Sequence, residues 1–174
     1  MDIRGYQRIA LIADTHGPIH SGLISKLLKF DCIIHAGDIG GFSSLLGEHG
    51  LNWPPVFAVR GNNDMPDKWP PGEIAQLQSV PETLTFSCLG GQLAVIHGHQ
   101  FAAVKTRHEK LRAQFPNAKA VVYGHSHRPI IDKCRTPWMV NPGAAGRTRA
   151  YGGAGFIGLT VSEAGWRTKR IVCE

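Results

Sequence analysis

Apolar residues gather into short unbroken runs, and each early run ends on glycine beside an ionisable or amide side chain. Ile9-Ala10-Leu11-Ile12-Ala13 is apolar throughout, the pattern of a strand covered on both faces, and it ends in Asp14-Thr15-His16-Gly17. Cys32-Ile33-Ile34-His35 leads into Ala36-Gly37-Asp38, and Val56-Phe57-Ala58-Val59 leads into Arg60-Gly61-Asn62-Asn63-Asp64. After Ser21, a residue type that caps helices, Leu23, Ile24, Leu27 and Leu28 recur at helical spacing. Residues 43–51 predict a second helix before Pro54-Pro55. Strand and helix thus alternate as in parallel βαβ units with right-handed crossovers.

The remainder is patterned differently. Residues 65–80, with Pro66, Trp69, Pro70 and Pro71, predict an irregular surface excursion. Residues 83–88 and 92–97 flank Leu89-Gly90-Gly91 as a hairpin, whose second strand ends in His97-Gly98-His99. Residues 104–115 predict a helix with Val104, His108, Leu111 and Phe115 on one side and Lys105, Arg107, Lys110 and Arg112 on a basic face, stopping before Pro116. Val121-Val122-Tyr123 predicts a strand that gives way to Gly124-His125-Ser126-His127, and Trp138-Met139-Val140 another that turns out at Asn141-Pro142-Gly143. A loop carrying Arg147 and Arg149 precedes a last hairpin, 156–161 with 166–172. The second half is more antiparallel than the first, so the expected fold class is a mixed α/β layered domain, single across residues 1–174.

Composition narrows the setting. A chain of 174 residues, 43% hydrophobic and 18% charged, buries a core without metal or disulfide staples. No apolar run approaches the roughly 18 residues of a membrane span, and Met1-Asp2-Ile3-Arg4-Gly5 does not open a secretory segment, so the expected location is cytoplasmic with no membrane partner. Cys32, Cys88, Cys134 and Cys173 show no metal or redox spacing and are expected to be reduced. A net charge of +6 suits anionic substrates, and the basic charge alone leaves nucleic acid open as a partner. The chain has nine histidines, and imidazole is the commonest metal ligand.

Asp14, His16, Asp38, Asn62, His97, His125 and His127 all stand at strand ends. In open α/β sheets the functional crevice lies outside the carboxyl ends of the strands, so these stretches can empty into one site. The donor set asks for two metals: Asp14 and His16 turn to one ion, and Asp38 from the neighbouring strand bridges with its two oxygens. Nitrogen and oxygen donors without thiolate favour Mn²⁺, with Fe, Zn²⁺ or Ni²⁺ as substitutes. Two such ions, about 3.5–4 Å apart, clamp an in-line displacement at phosphorus with a bridging hydroxide as nucleophile.

In this order, Asp14-x-His16, Gly37-Asp38, Gly61-Asn62-x-Asp64, Gly98-His99 after His97, and Gly124-His125-x-His127 resemble the calcineurin-like metallophosphoesterase superfamily, over about residues 9–146. Small single-domain bacterial and archaeal phosphodiesterases are the most similar kind. The resemblance implies a four-layer α/β/β/α sandwich of two mixed β-sheets flanked by helices. It implies that Asp14, His16, Asp38 and His127 hold one metal and that Asp38, Asn62, His97 and His125 hold the second. It also implies a small phosphodiester substrate, catalysis centred on Asp38 and Asn62, and self-association into a homo-oligomer. Many members carry histidine after the metal-binding asparagine, where this chain has Asn63; His99 is the expected substitute, as general acid or as a residue that orients a ligand. Arg60 is expected to bind phosphate or pair with Asp64, and His35 to be a satisfied core histidine. The alternatives are a non-catalytic protein-binding scaffold, since Ile96-His97-Gly98-His99-Gln100 is similar to a run in a retromer subunit of this family, and, behind it, a nuclease.

Overall fold

The computed structural model describes residues 1–46, 53–101, 103–146 and 149–173, with backbone alone at 104 and 105. In chain order the elements are β1 (Arg8–Ile12), α1 (Ser21–Leu27), β2 (Cys32–His35), α2 (Phe42–Leu46), β3 (Val56–Ala58), α3 (Ile74–Ser79), β4 (Thr83–Cys88), β5 (Gly91–Ile96), α4 (Val104–Gln114), β6 (Ala120–Tyr123), β7 (Ile130–Asp132), β8 (Trp138–Asn141), β9 (Gly155–Ser162) and β10 (Gly165–Val172). They form two five-stranded sheets, ordered β10-β9-β1-β2-β3 and β4-β5-β6-β8-β7. Each sheet is mixed. β1, β2 and β3 are parallel while β9 and β10 run antiparallel to their neighbours; β5, β6 and β8 are parallel while β4 and β7 flank them antiparallel.

Side chains alternate across a strand, and this alternation sorts the core into layers. Ile9, Leu11, Cys32 and Ile34 face Phe86, Leu93, Val95, Val122 and Val140, making the middle layer between the sheets. Their neighbours Ala10, Ile12 and Ile33 face outward onto Leu23 and Leu27 of α1 and Leu77 of α3. On the far side, Ala94, Ile96, Val121 and Met139 pack with Leu111 of α4. The expected α/β/β/α sandwich is therefore the observed one.

Several local expectations are corrected. Residues 65–80 are not an irregular excursion: a 3-10 turn at Pro71–Glu73 runs into α3, with Trp69 and Leu77 buried against the first sheet. The apolar spacing of Ile74 and Leu77 is the helical signal that the prolines hide. α1 is capped by His20, whose Nδ1 accepts from Gly22 N at 3.2 Å, and not by Ser21, which is its first residue. The second helix is described over Phe42–Leu46, while residues 47–51 of the expected helix, including His49, lie outside the described residues. β7 was not expected at all; its three residues alternate in exposure along a sheet edge. Of the basic face expected on α4, Arg107 is 6% exposed and Arg112 bonds Pro137 O and Asp132, so these two arginines are turned to internal partners. Cys32, Cys88 and Cys134 are free thiols; burial pushes both Cys32 and Cys88 up to about 12, so neither is a nucleophile. Among the described residues no helix is long and apolar enough to cross a membrane.

Candidate metal centre

The C-terminal ends of β1, β2, β5 and β6 lie side by side, and the loops that leave them are stitched together by backbone bonds. Asp14 N donates to Gly37 O at 3.0 Å, His16 N to Asp38 O at 2.9 Å and Gly124 N to His97 O at 3.1 Å. Asp14, His16, Asp38, His125 and His127 each adopt left-handed backbone, with φ of 52°, 49°, 58°, 67° and 55°. That conformation costs a non-glycine residue about 1–2 kcal/mol, so the surrounding bonds over-determine it.

Those surrounding bonds come from side chains that sequence reasoning did not credit. Asp64 is buried and takes four donors: Ile39 N at 2.8 Å, Gly40 N at 3.0 Å and Trp69 Nε1 at 2.9 Å on Oδ1, with Gly61 N at 2.8 Å on Oδ2. It clamps the loop after β2 to the loop after β3. Arg60 consequently does not pair with Asp64; it meets the exposed Glu82 at 3.3 Å. Asn141 binds the other side, donating through Nδ2 to Gly124 O at 2.8 Å and Ser126 Oγ at 3.1 Å while accepting from Gly143 N at 2.9 Å. The signal for both was an Asn or Asp within three residues of a glycine, the composition of side-chain-closed turns. His35 behaves as expected: its Nδ1 accepts from Gly37 N, so the ring is neutral and Nε2–H donates to Thr15 Oγ1 at 2.9 Å, whose hydroxyl in turn donates to Ile39 O at 3.0 Å. Burial pushes His35 down to about 4, in agreement with a neutral ring.

Asp14, His16, Asp38 and His127 each bring one donor atom to a common point, all within 4.8 Å of one another. His16 Nε2 and His127 Nε2 approach to 3.2 Å; His16 Nε2 is 3.7 Å from Asp38 Oδ2, and His127 Nε2 is 3.7 Å from Asp14 Oδ1. On the other side of Asp38, His97 Nε2 lies 3.4 Å from Asp38 Oδ2, and His125 Nδ1 lies 3.0 Å from Asn62 Oδ1. The His97 and His125 rings are 5.3 Å apart. All seven candidate ligands thus border one rim, with Asp38 shared between the two groups. His99 stands next to them, its ring 5.6 Å from His97 and 6.3 Å from His125, with a buried Nδ1 that has no hydrogen-bond partner. Arg149 is exposed, and Arg147 lies outside the described residues.

The electrostatics divide the two carboxylates. Burial pushes Asp14 up to about 7, against the pull of the His97 charge. Burial acts on Asp38 in the same direction, but hydrogen bonding and charge from His97 and both donors of Asn63 outweigh it and hold Asp38 well below the usual carboxylate range. Asn63 binds Asp38 twice, N to Oδ1 and Nδ2 to Oδ2, each at 2.8 Å, and itself accepts from Lys68 Nζ at 2.8 Å. Burial lowers His16 and His125, so both rings are neutral donors. His97 is raised: burial works downward, and the Asp38 hydrogen bond and the Asp38 and Asp14 charges overcome it.

Two buried atoms show that this donor set fits a cation. Asp14 Oδ2 is buried without a hydrogen bond, a costly condition for a polar atom that is not meant to be ligated, and the buried His97 Nε2 has the Asp38 carboxylate 3.4 Å away. His97 Nδ1–H donates to Ala36 O at 2.7 Å, so Nε2 is the nitrogen that would take a metal once the proton it shares with Asp38 has left. Carboxylates, imidazoles and an amide oxygen without thiolate suit a first-row divalent ion.

Comparison with known proteins agrees with this chemistry. A probable metallophosphoesterase of Methanocaldococcus jannaschii is 28% identical over 149 residues, covering 80% of this chain and 69% of that protein. One from Mycoplasma genitalium is 28% identical over 144 residues, covering 79% and 76%. Among solved structures, a predicted phosphoesterase of Streptococcus pneumoniae shares the fold with a TM-score of 0.64 at 20% identity, covering 96% of this chain and 90% of that one. Zinc-complexed Vps29 of Entamoeba histolytica does so with a TM-score of 0.70 at 15% identity, covering 96% and 99%. Residues 8–164 match the calcineurin-like phosphoesterase superfamily domain, and with that span the chain belongs to this superfamily.

Proposed function

We propose that the protein is a phosphodiesterase that works with two divalent transition-metal ions. The observation that carries the reading is the convergence of Asp14, His16, Asp38 and His127 donor atoms within 4.8 Å, with Asp14 Oδ2 left bare beside them. In the proposal these four hold one ion, while His97, His125 and Asn62 join Asp38 around the second. When bound, such a pair supplies Lewis acidity to the phosphoryl oxygens and activates water.

The chain's own groups do the positioning. Asn63 orients both oxygens of Asp38, and Lys68 behind it sets a positive charge at the rim where the phosphate's charge would lie. In hydrolysis a water oxygen forms the new P–O bond as the bond to the leaving oxygen breaks, and that oxygen then needs a proton unless it is stable as an anion. Asn63 has no proton to give. His99, lowered mainly by burial, is the acid nearest the rim in the proposal and is mostly neutral at pH 7. This favours diesters with good leaving groups over alkyl monoesters.

The test is reconstitution. Chelator-stripped protein should be inactive on bis(para-nitrophenyl) phosphate and regain turnover with Mn²⁺, while Asp38→Asn stays inactive yet melts as a folded protein. Full activity after chelation, or an Asp38→Asn variant as active as the parent, refutes the reading. The likeness to Vps29 keeps a scaffold as the second reading, and a folded protein that binds Mn²⁺ but hydrolyses no diester would favour it.

A further inference from the structure

A cavity of about 580 Å³ opens beside the candidate metal centre, and His125 belongs to both. Anything held at the centre on the His125 side therefore continues into this space. Its apolar wall is Tyr123 and Ile130; its other lining includes Arg107, His108 and Arg128. Tyr123 is fixed as a neutral hydroxyl, since burial raises it to about 12 and its oxygen sits 2.8 Å from His108 Nε2.

The two arginines carry the argument. Arg107 is only 6% exposed, and its Nε is used on Phe101 O at 2.9 Å. Among the described residues neither Arg107 nor Arg128 has a carboxylate within ion-pair distance. Asp132, the acid that reaches this region through His108 at 3.4 Å, is taken by Arg112 at 2.8 Å. Arg128 lies over the Tyr151 ring at 4.4 Å, which steers the guanidinium without neutralising it. A buried cation without a counter-charge is expensive to keep, and a planar guanidinium is the group that best matches a phosphate.

The geometry points to a second-phosphate subsite: Arg107 and Arg128 receive a phosphate carried on one arm of the diester, and Tyr123 with Ile130 pack against the sugar or base between the two phosphates. The substrate class is then a nucleotide diester bearing a further phosphate one sugar away from the scissile bond. This rests on the proposed phosphodiesterase reading and specifies its substrate.

The experiment compares two probes on Mn²⁺-loaded protein: the para-nitrophenyl phosphodiester of thymidine, with and without a phosphate on the distal sugar hydroxyl. They share scissile bond and leaving group and differ only in the second phosphate. The parent should prefer the phosphorylated probe by at least about tenfold in kcat/KM, mainly through KM, the scale of one or two charge-assisted hydrogen bonds. That ratio should fall toward unity in Arg128→Ala, whose side chain is exposed, and in Arg107→Lys, which keeps charge but loses the fork. Melting curves identify a variant that fails to fold, and Arg128→Ala then carries the test. Equal kcat/KM for the two probes in the parent, or a ratio unchanged in a folded variant, overturns the subsite alone. No hydrolysis of either probe overturns the phosphodiesterase reading and the subsite together.

Discussion

Asp64→Asn is the substitution whose cost the structure fixes most closely. The parent carboxylate accepts Ile39 N, Gly40 N and Trp69 Nε1 on one oxygen and Gly61 N on the other. Asparagine keeps one oxygen for the first three donors and turns an NH₂ against Gly61 N; the flipped amide is worse, facing three donors with its own. One buried N–H loses its acceptor, at about 1–3 kcal/mol, and three bonds fall from the charged to the neutral scale, at about 1 kcal/mol each. These terms share one side chain and add incompletely, so the expected loss is about 3–5 kcal/mol. For a domain of this size that is a fall in Tm of roughly 6–20 °C. The assay is thermal unfolding of the metal-free protein by circular dichroism, with Glu82→Gln as control. That control breaks only an exposed ion pair with Arg60 and should cost no more than about 1 kcal/mol. If Asp64→Asn melts within about 2 °C of the parent, Asp64 is not the clamp between the two loops.

Two more outcomes follow from the centre itself. Gly61→Ala would place a Cβ 2.2 Å from Asp38 Oδ1 and 2.3 Å from Asp38 N, and the latter is backbone that cannot swing away. Mn²⁺ affinity by calorimetric titration should fall at least about tenfold, with a stability loss of about 1–3 kcal/mol from overpacking; an unchanged Kd would show that Gly61 does not set the seat of Asp38. For pH, the sign follows from Asp14: burial holds it up at about 7, so a proton competes with the ion below neutrality and is displaced on binding. Mn²⁺ affinity should therefore strengthen by up to about tenfold per pH unit as pH rises toward 7 and level off above; a flat affinity between pH 6 and 8 would refute Asp14 as a ligand.

The sequence made the candidate ligands legible because each stands just past an apolar run, within three residues of a glycine. It also made the layers legible, since the strands' alternation sends Leu11 and Ile12 to different cores. What it hid was whatever depends on a partner distant in the chain. Asp64 reads as a turn acid next to Arg60, yet its donors Ile39 and Gly40 are backbone groups about 25 positions away. Arg107 reads as part of a basic helix face until the cavity under α4 is seen. His20 took the cap from Ser21 because a ring nitrogen accepts a backbone N–H as a hydroxyl does. α3 was masked by prolines that stand before it and start it.

The left-handed residues at the rim bear on how this protein responds to engineering. At Asp14, His16, Asp38, His125 and His127, glycine or asparagine would sit more comfortably on the backbone than the residues present. A library ranked on melting temperature alone would thus drift toward replacing them, and its best-scoring members would be those that had dismantled the rim. Thermal gain at these positions and retention of the centre pull in opposite directions. Variants of this fold are better stabilised within the strands of the two sheets, where, among the described residues, no non-glycine backbone is left-handed.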